Sequence, residues 1–89
     1  MEVFEINPEN LKAGVGESFV IMNPETLTYY EATGVATRIL QLLEITPSSE
    51  KTICEVLLSQ FDVSEEHCST EVQVFLRDAL RSGIIRVSV

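Results

Sequence analysis

The chain has 89 residues, 45% of them hydrophobic, and carries fourteen acidic side chains against six basic ones and one histidine, a formal net charge of −8. That length is one domain, spanning 1–89, which hides roughly 60–65% of its unfolded surface, and the apolar content is too high for disorder. The chain shows no basic stripe of the kind non-specific nucleic-acid binding needs and its overall field repels phosphate, with Arg77, Arg81 and Arg86 leaving room only for a local positive strip; an anionic membrane surface is disfavoured for the same reason.

No apolar run reaches the ~18–20 residues of a membrane span. The opening "MEVFEINPEN" lacks the basic start and apolar middle of a signal peptide, so a cytoplasmic location is expected. "VFEIN" (Val3–Asn7) reads as a short strand that Pro8 ends, because proline lacks the ladder donor. "ENLKAGVGE" reads as a loop punctuated by Gly14 and Gly16. "SFVIM" (Ser18–Met22) is a strong strand, with Phe19 and Ile21 on one face and Val20 and Met22 on the other. "NPET" (Asn23–Thr26) is a turn with Pro24 where a fixed φ suits it, and "LTYYE" (Leu27–Glu31) is the returning strand of a hairpin.

Three helices follow. The first starts at Thr33 or Gly34 and shows a broad apolar face of Val35, Ala36, Ile39, Leu40, Leu42 and Leu43. Pro47, Ser48 and Ser49 break and re-cap the chain ahead of a second helix over about Glu50 to Phe61, which buries Ile53, Cys54, Leu57, Leu58 and Phe61. Ser64 caps a third, with Glu65 and Glu66 in its positive first turn, running to about Ser82 and burying Cys68, Val72, Phe75, Leu76, Ala79 and Leu80. Gly83 is a left-handed stop with Ile84 as its hydrophobic partner, and "IIRVSV" is a short final strand. The layout is α+β and winged-helix-like: a small N-terminal antiparallel sheet, made of the hairpin and an edge strand, packed on three helices, with a short C-terminal strand.

The residues that could carry chemistry do not assemble a catalytic site. There is no Gly-rich phosphate loop, HExxH or GxSxG, and nothing groups a nucleophile, a base and an orienter. Cys54 and Cys68 fall on apolar helix faces and read as small buried hydrophobes; with His67 they fall short of a zinc site. The reading is a binding module without catalytic residues, metal or cofactor.

Two features fit binding. A sheet of two or three strands leaves an edge that invites another strand, and a peptide can add there through main-chain hydrogen bonds. Tyr29 and Tyr30 sit on that strand and point to opposite faces, so either both pack within the domain or one serves a partner. The alternation from Leu27 favours Tyr29 inward, leaving Tyr30 and Thr28 on the other face, an order that edge twist could reverse. The second feature is the outer face of helix three, where Val74, Arg77, Asp78 and Arg81 recur at i, i+3, i+4 and i+7. That face either lines a groove for a peptide with apolar and acidic groups or is simply solvated, with arginines at the helix end that favours cations.

Beyond these readings, "ESFVIMNPETLTYYEATGVATRILQLLE" followed by "TICEVLLSQFDVSEEHCSTEVQVFLRDALRSGIIRV" resembles the PqqD-like family over about Glu17 to Val87. The markers are the "NPET" turn, the "YYE" strand, "ILQLL", "FDVSEE" and "FLRDALRSGII", in this order and spacing. The chain departs at Ala32-Thr33, where such proteins usually carry Leu-Asn, and at Leu40, where tryptophan is frequent. The resemblance implies recognition of the leader of a ribosomally made, post-translationally modified peptide. The leader would add as a strand beside Leu27, Thr28, Tyr29, Tyr30 and Glu31 and lie against Val74, Arg77, Asp78 and Arg81. The domain would then present the peptide to a tailoring enzyme or leader protease of a lasso-peptide, pyrroloquinoline quinone or related pathway. Pairing of two copies through the same edge would give a homodimer. Two other classes compete: a winged-helix adaptor for protein or DNA, which the charge argues against, and an acyl carrier, which needs an Asp-Ser-Leu triplet this chain lacks.

Overall fold

The computed structural model describes residues 2–15, 18–32 and 34–88. Strands β1 (Val3–Ile6), β2 (Leu11–Val15), β3 (Ser18–Asn23) and β4 (Thr28–Ala32) lead into helix α1 (Val35–Ile45). A two-residue strand β5 (Ser48–Ser49), helices α2 (Glu50–Gln60) and α3 (Glu65–Arg81), and strand β6 (Ile85–Val87) complete the chain. Hairpin, three helices and final strand are all present, with the returning strand of the hairpin one residue later than expected, at Thr28–Ala32 in place of Leu27–Glu31. Thr33, one of two residues expected to open α1, Gly16, and Val89 at the end of the expected final strand lie outside the described residues.

The strands divide into two antiparallel sheets, β2-β3-β4 and β5-β1-β6. The expected loop around Leu11–Val15 is instead a strand, paired with β3 from Leu11↔Met22 to Val15↔Ser18. "LKAGV" has little strand propensity of its own; the ready-made ladder of β3 supplies what its composition does not. The Val3–Ile6 strand was expected but belongs to the other sheet, where Ile6 pairs with Ile85 and Phe4 with both Ser48 and Val87.

Buried side chains from every layer form one core. Ile21, Ile39, Leu40, Ile53, Leu57, Val72, Ile84 and Ile85 are its largest fully buried side chains. Ser49 caps α2 by accepting from the Thr52 N–H at 3.2 Å, and Ser64 caps α3 by accepting from the His67 N–H at 3.1 Å. Leu80 is not in the core as expected but 37% exposed. Eight residues on from Val72 it lies about 80° around the helix, at the flank of the buried stripe.

The end of α3 holds the two sheets together. Gly83 takes a φ of 77°, its N–H donates to the Leu80 carbonyl at 3.2 Å, and the Ile84 N–H reaches back to the Ala79 carbonyl at 3.0 Å. This paired pattern ends the helix with a left-handed residue and a buried apolar one. Three asparagines then cap the carbonyls of the turn. Asn23 Nδ2 donates to the Gly83 carbonyl at 2.8 Å and Asn7 Nδ2 to the same oxygen at 3.4 Å, while Asn10 Nδ2 donates to the Ile84 carbonyl at 2.7 Å. Asn23 also shapes the hairpin turn, its Oδ1 accepting from the N–H groups of Glu25 (2.9 Å) and Thr26 (3.2 Å).

Gly83 is therefore constrained twice, by its positive φ and by a neighbour. A Cβ there would stand 2.6 Å from Asn23 Nδ2. Gly83→Ala is expected to lose about 2–3 kcal/mol, from the left-handed conformation and the displaced amide bond, lowering the melting temperature by roughly 10–20 °C. Thermal unfolding followed by circular dichroism measures it; a shift of less than a few degrees would contradict the role given to this turn.

Candidate functional site

Strand β4 borders its sheet, with β3 on one side only. Its register is Asn23↔Thr28, Ile21↔Tyr30 and Phe19↔Ala32. Directly opposed residues share a face, so Thr28, Tyr30 and Ala32 join buried Phe19, Ile21 and Asn23 on the inner face. Tyr29 and Glu31 stand on the outer one, and Tyr29 is 59% exposed. This reverses the expected placement, which had Tyr29 inward. Leu27, taken as the first inward residue of the strand, lies in the turn with a φ of 58° and is out of the alternation.

Tyr30 packs edge-to-face on Phe75 of α3, with ring centroids 5.7 Å apart at 82°. Beside this contact, between β4, the first turns of α1 and the outer flank of α3, runs a groove of about 320 Å³. Tyr30, Val35, Ala36, Ile39, Val74 and Phe75 give it an apolar lining, and Thr70, Glu71 and Asp78 make its polar positions. Gly34, with φ 61° and ψ −126°, turns the chain from β4 into α1 along this border. That backbone geometry is open to glycine and strained for other residues.

The sequence-predicted site residues divide. Tyr30, Val74 and Asp78 meet in the groove. Thr28, Tyr29 and Glu31 lie on β4 outside its lining, and Leu27 sits in the turn. Arg77 and Arg81 are exposed on α3 and do not line it, so the arginines do not shape the groove as expected. Sequence reasoning missed Val35, Ala36, Ile39, Thr70, Glu71 and Phe75. The available signal was the width of the α1 apolar face: Val35 and Ala36 extend it beyond the stripe that Ile39, Leu40 and Leu43 bury.

Electrostatics keep the groove chemically quiet. Burial first, and then the nearby Asp78 charge, raise the Tyr30 phenol above its usual pKa, so it remains a neutral hydroxyl. On the outer face the Tyr29 hydroxyl donates to Glu31 Oε2 at 3.1 Å, and that bond followed by the carboxylate charge raises its pKa as well. Thr70 Oγ1 donates to the Glu66 carbonyl at 3.0 Å, and His67 Nε2 lies 3.1 Å from Glu71 Oε1. Among the described residues no group of three potential ligands could hold a metal ion, and no helix is long and apolar enough to cross a membrane.

These features define a class: a small α+β domain with a free strand edge beside an apolar groove. The family model described as Coenzyme PQQ synthesis protein D (PqqD) matches residues 18–85, and the chain belongs to the PqqD family. Among curated proteins none matches the sequence significantly. Two solved structures share the fold. TbiB1 in complex with the TbiA(beta) leader peptide is 20% identical with a TM-score of 0.85, covering 96% of this chain and 98% of that one. A lasso peptide synthetase B1 complexed with the leader peptide is 18% identical with a TM-score of 0.79, covering 93% and 96%.

Away from the groove, Cys68 is buried and Cys54 half-buried, both reduced, on the facing helices α3 and α2. Burial, followed by the proximity of Cys68, pushes the Cys54 thiol up to about 11. Against an ordinary thiol this cuts the thiolate fraction about a hundredfold near pH 8, which the higher intrinsic nucleophilicity only partly offsets. Native Cys54 is expected to react with a disulfide reagent roughly tenfold more slowly than the same residue in denaturant, with Cys68 slower still. A native rate equal to the denatured one would overturn this.

Proposed function

We propose that this domain binds the leader region of a ribosomally made precursor peptide as an added strand along β4 and presents it, without catalysis, to a separate tailoring enzyme or leader protease. The observation that carries this reading is the adjacency of an unpaired strand edge and an apolar groove. A strand laid on β4 gains main-chain partners from the edge, and its alternate side chains reach the trough between β4 and α3. Family membership supports the reading, and so does the likeness to two domains solved with leader peptides. The lining itself favours binding over reaction, since Tyr30 is held neutral and the Thr70 hydroxyl is committed to the helix backbone.

A winged-helix DNA reader would use the exposed face of α3. Glu65, Glu66, Glu71 and Asp78 on that helix, together with the net charge of −8, oppose phosphate there.

The test is titration of a precursor leader encoded near this chain's own gene, followed by backbone NMR. Shifts are expected in Thr28–Ala32 and in α3 from Thr70 to Asp78. Val74→Glu puts a charge into the groove at a position 47% exposed, so folding should be kept while binding weakens about tenfold. Shifts confined to β2, the border of its sheet opposite β4, or to β6, in the other sheet, would sink the site assignment even with binding intact.

A further inference from the structure

Asp78 is out of place for a stabilising residue. It lies in the last turn of α3, where the helix dipole disfavours a negative charge. Among the described residues its carboxylate has no ion-pair partner and no hydrogen bond; Ser82 bonds the Asp78 backbone carbonyl instead, through its N–H at 3.0 Å and its hydroxyl at 2.9 Å. The side chain lines the groove with Tyr30, Val74 and Phe75. Glu71 contributes a second carboxylate to the same wall, one oxygen of which faces His67. Arg77 and Arg81 do not reach the lining, and Arg81 sits where the helix end favours a cation. Asp78 is exposed at the rim of the groove, so a cation docked beside the apolar lining can pair with it at the modest strength of a surface ion pair.

We propose that the groove selects a peptide segment bearing a lysine or arginine next to its apolar anchor, and that Asp78 is the specificity-determining residue that pairs with this cation. The proposal rests on the leader-binding reading above and names the chemistry of the segment bound. Glu71 widens the acidic wall, and the net charge of −8 steers a cationic segment toward it.

The probe is a displayed library of random peptides long enough to pair with β4, selected on the native domain. Selected peptides should place lysine or arginine next to an apolar residue and should shift resonances of β4 and α3. In a synthetic selected peptide, replacing that basic residue by glutamine should weaken binding about 3–5-fold to the native domain and leave binding to Asp78→Asn unchanged. Selection on Asp78→Lys should turn the preference toward aspartate and glutamate. Asp78→Asn should melt no lower than the native domain, and a rise of roughly 2–6 °C is expected from removing the charge that opposes the dipole.

Groove-binding peptides without basic enrichment, or an equal loss in Asp78→Asn, would overturn the role of Asp78 and leave the leader-binding reading standing. So would a lowered melting temperature in Asp78→Asn, which marks a structural residue. Failure to recover any peptide that shifts β4 and α3 would overturn both.

Discussion

The turn Gly83–Ile84 is the constraint on which the rest of the domain depends. Carbonyls of a turn between a helix and a strand have no ladder partner of their own, and buried ones are costly to leave unmet. Here the Gly83 and Ile84 carbonyls are met by side chains from distant parts of the chain: Asn7 after β1, Asn10 before β2 and Asn23 at the end of β3. The Asn7 N–H adds a further bond to the Ile84 carbonyl at 3.0 Å. One turn therefore ties both sheets to the end of α3. The arrangement is not free of cost, since Asn10 Oδ1 is buried without a partner among the described residues.

That tether sets the spacing of the groove. Asn23 closes the hairpin turn and holds the end of α3 at the same time, so β4 and α3 cannot separate at this end without breaking the turn. Further along, Tyr30 on Phe75 fixes the distance between the strand and the helix. The core stripe of α3, with Val72, Leu76 and Ala79, is buried, while its flank at Val74 and Asp78 is left facing the trough. A groove held from both sides is already shaped before any peptide arrives, which lowers the ordering cost of binding.

Most of this was legible in the sequence, and the exceptions share a cause. Periodicity found three helices, Ser49 and Ser64 marked their caps, and Gly83 with Ile84 marked the stop, because each signal is local. The strand Leu11–Val15 was invisible because its pairing with β3, and not its own composition, makes it a strand. The tyrosines were assigned to the wrong faces because alternation was counted from Leu27, which the turn removes from the strand. Counting across the hairpin from Ile21 to Tyr30 gives the right phase, but that register depends on a four-residue loop that the sequence does not reveal. On α3 the repeat picked out Val74 and Asp78, which both line the groove. It grouped them with Arg77 and Arg81, because helical spacing defines a face and not where a second element meets its flank. The contribution of α1 lay hidden in the same way: Val35 and Ala36 read as core, and only the approach of α3 makes them a wall.

The energetics of such a site separate affinity from selectivity. Filling the groove with one apolar side chain gains about 1.5–3 kcal/mol. Micromolar binding needs about 8 kcal/mol net, after association costs of roughly 4–15 kcal/mol and the ordering of a flexible chain. On the proposed reading the groove cannot supply that alone, so main-chain bonds along β4 would have to carry much of the affinity, and these are indifferent to side-chain identity. The groove's task in that reading is register. Side chains alternate, so a slip of one residue would turn the anchor away from the trough and bring its neighbours in. An apolar floor beside a carboxylate wall penalises that slip twice, by exposing the anchor and by misplacing the charge. A peptide held in one register would leave the domain at a fixed position, which is what the proposed hand-over to a separate enzyme requires.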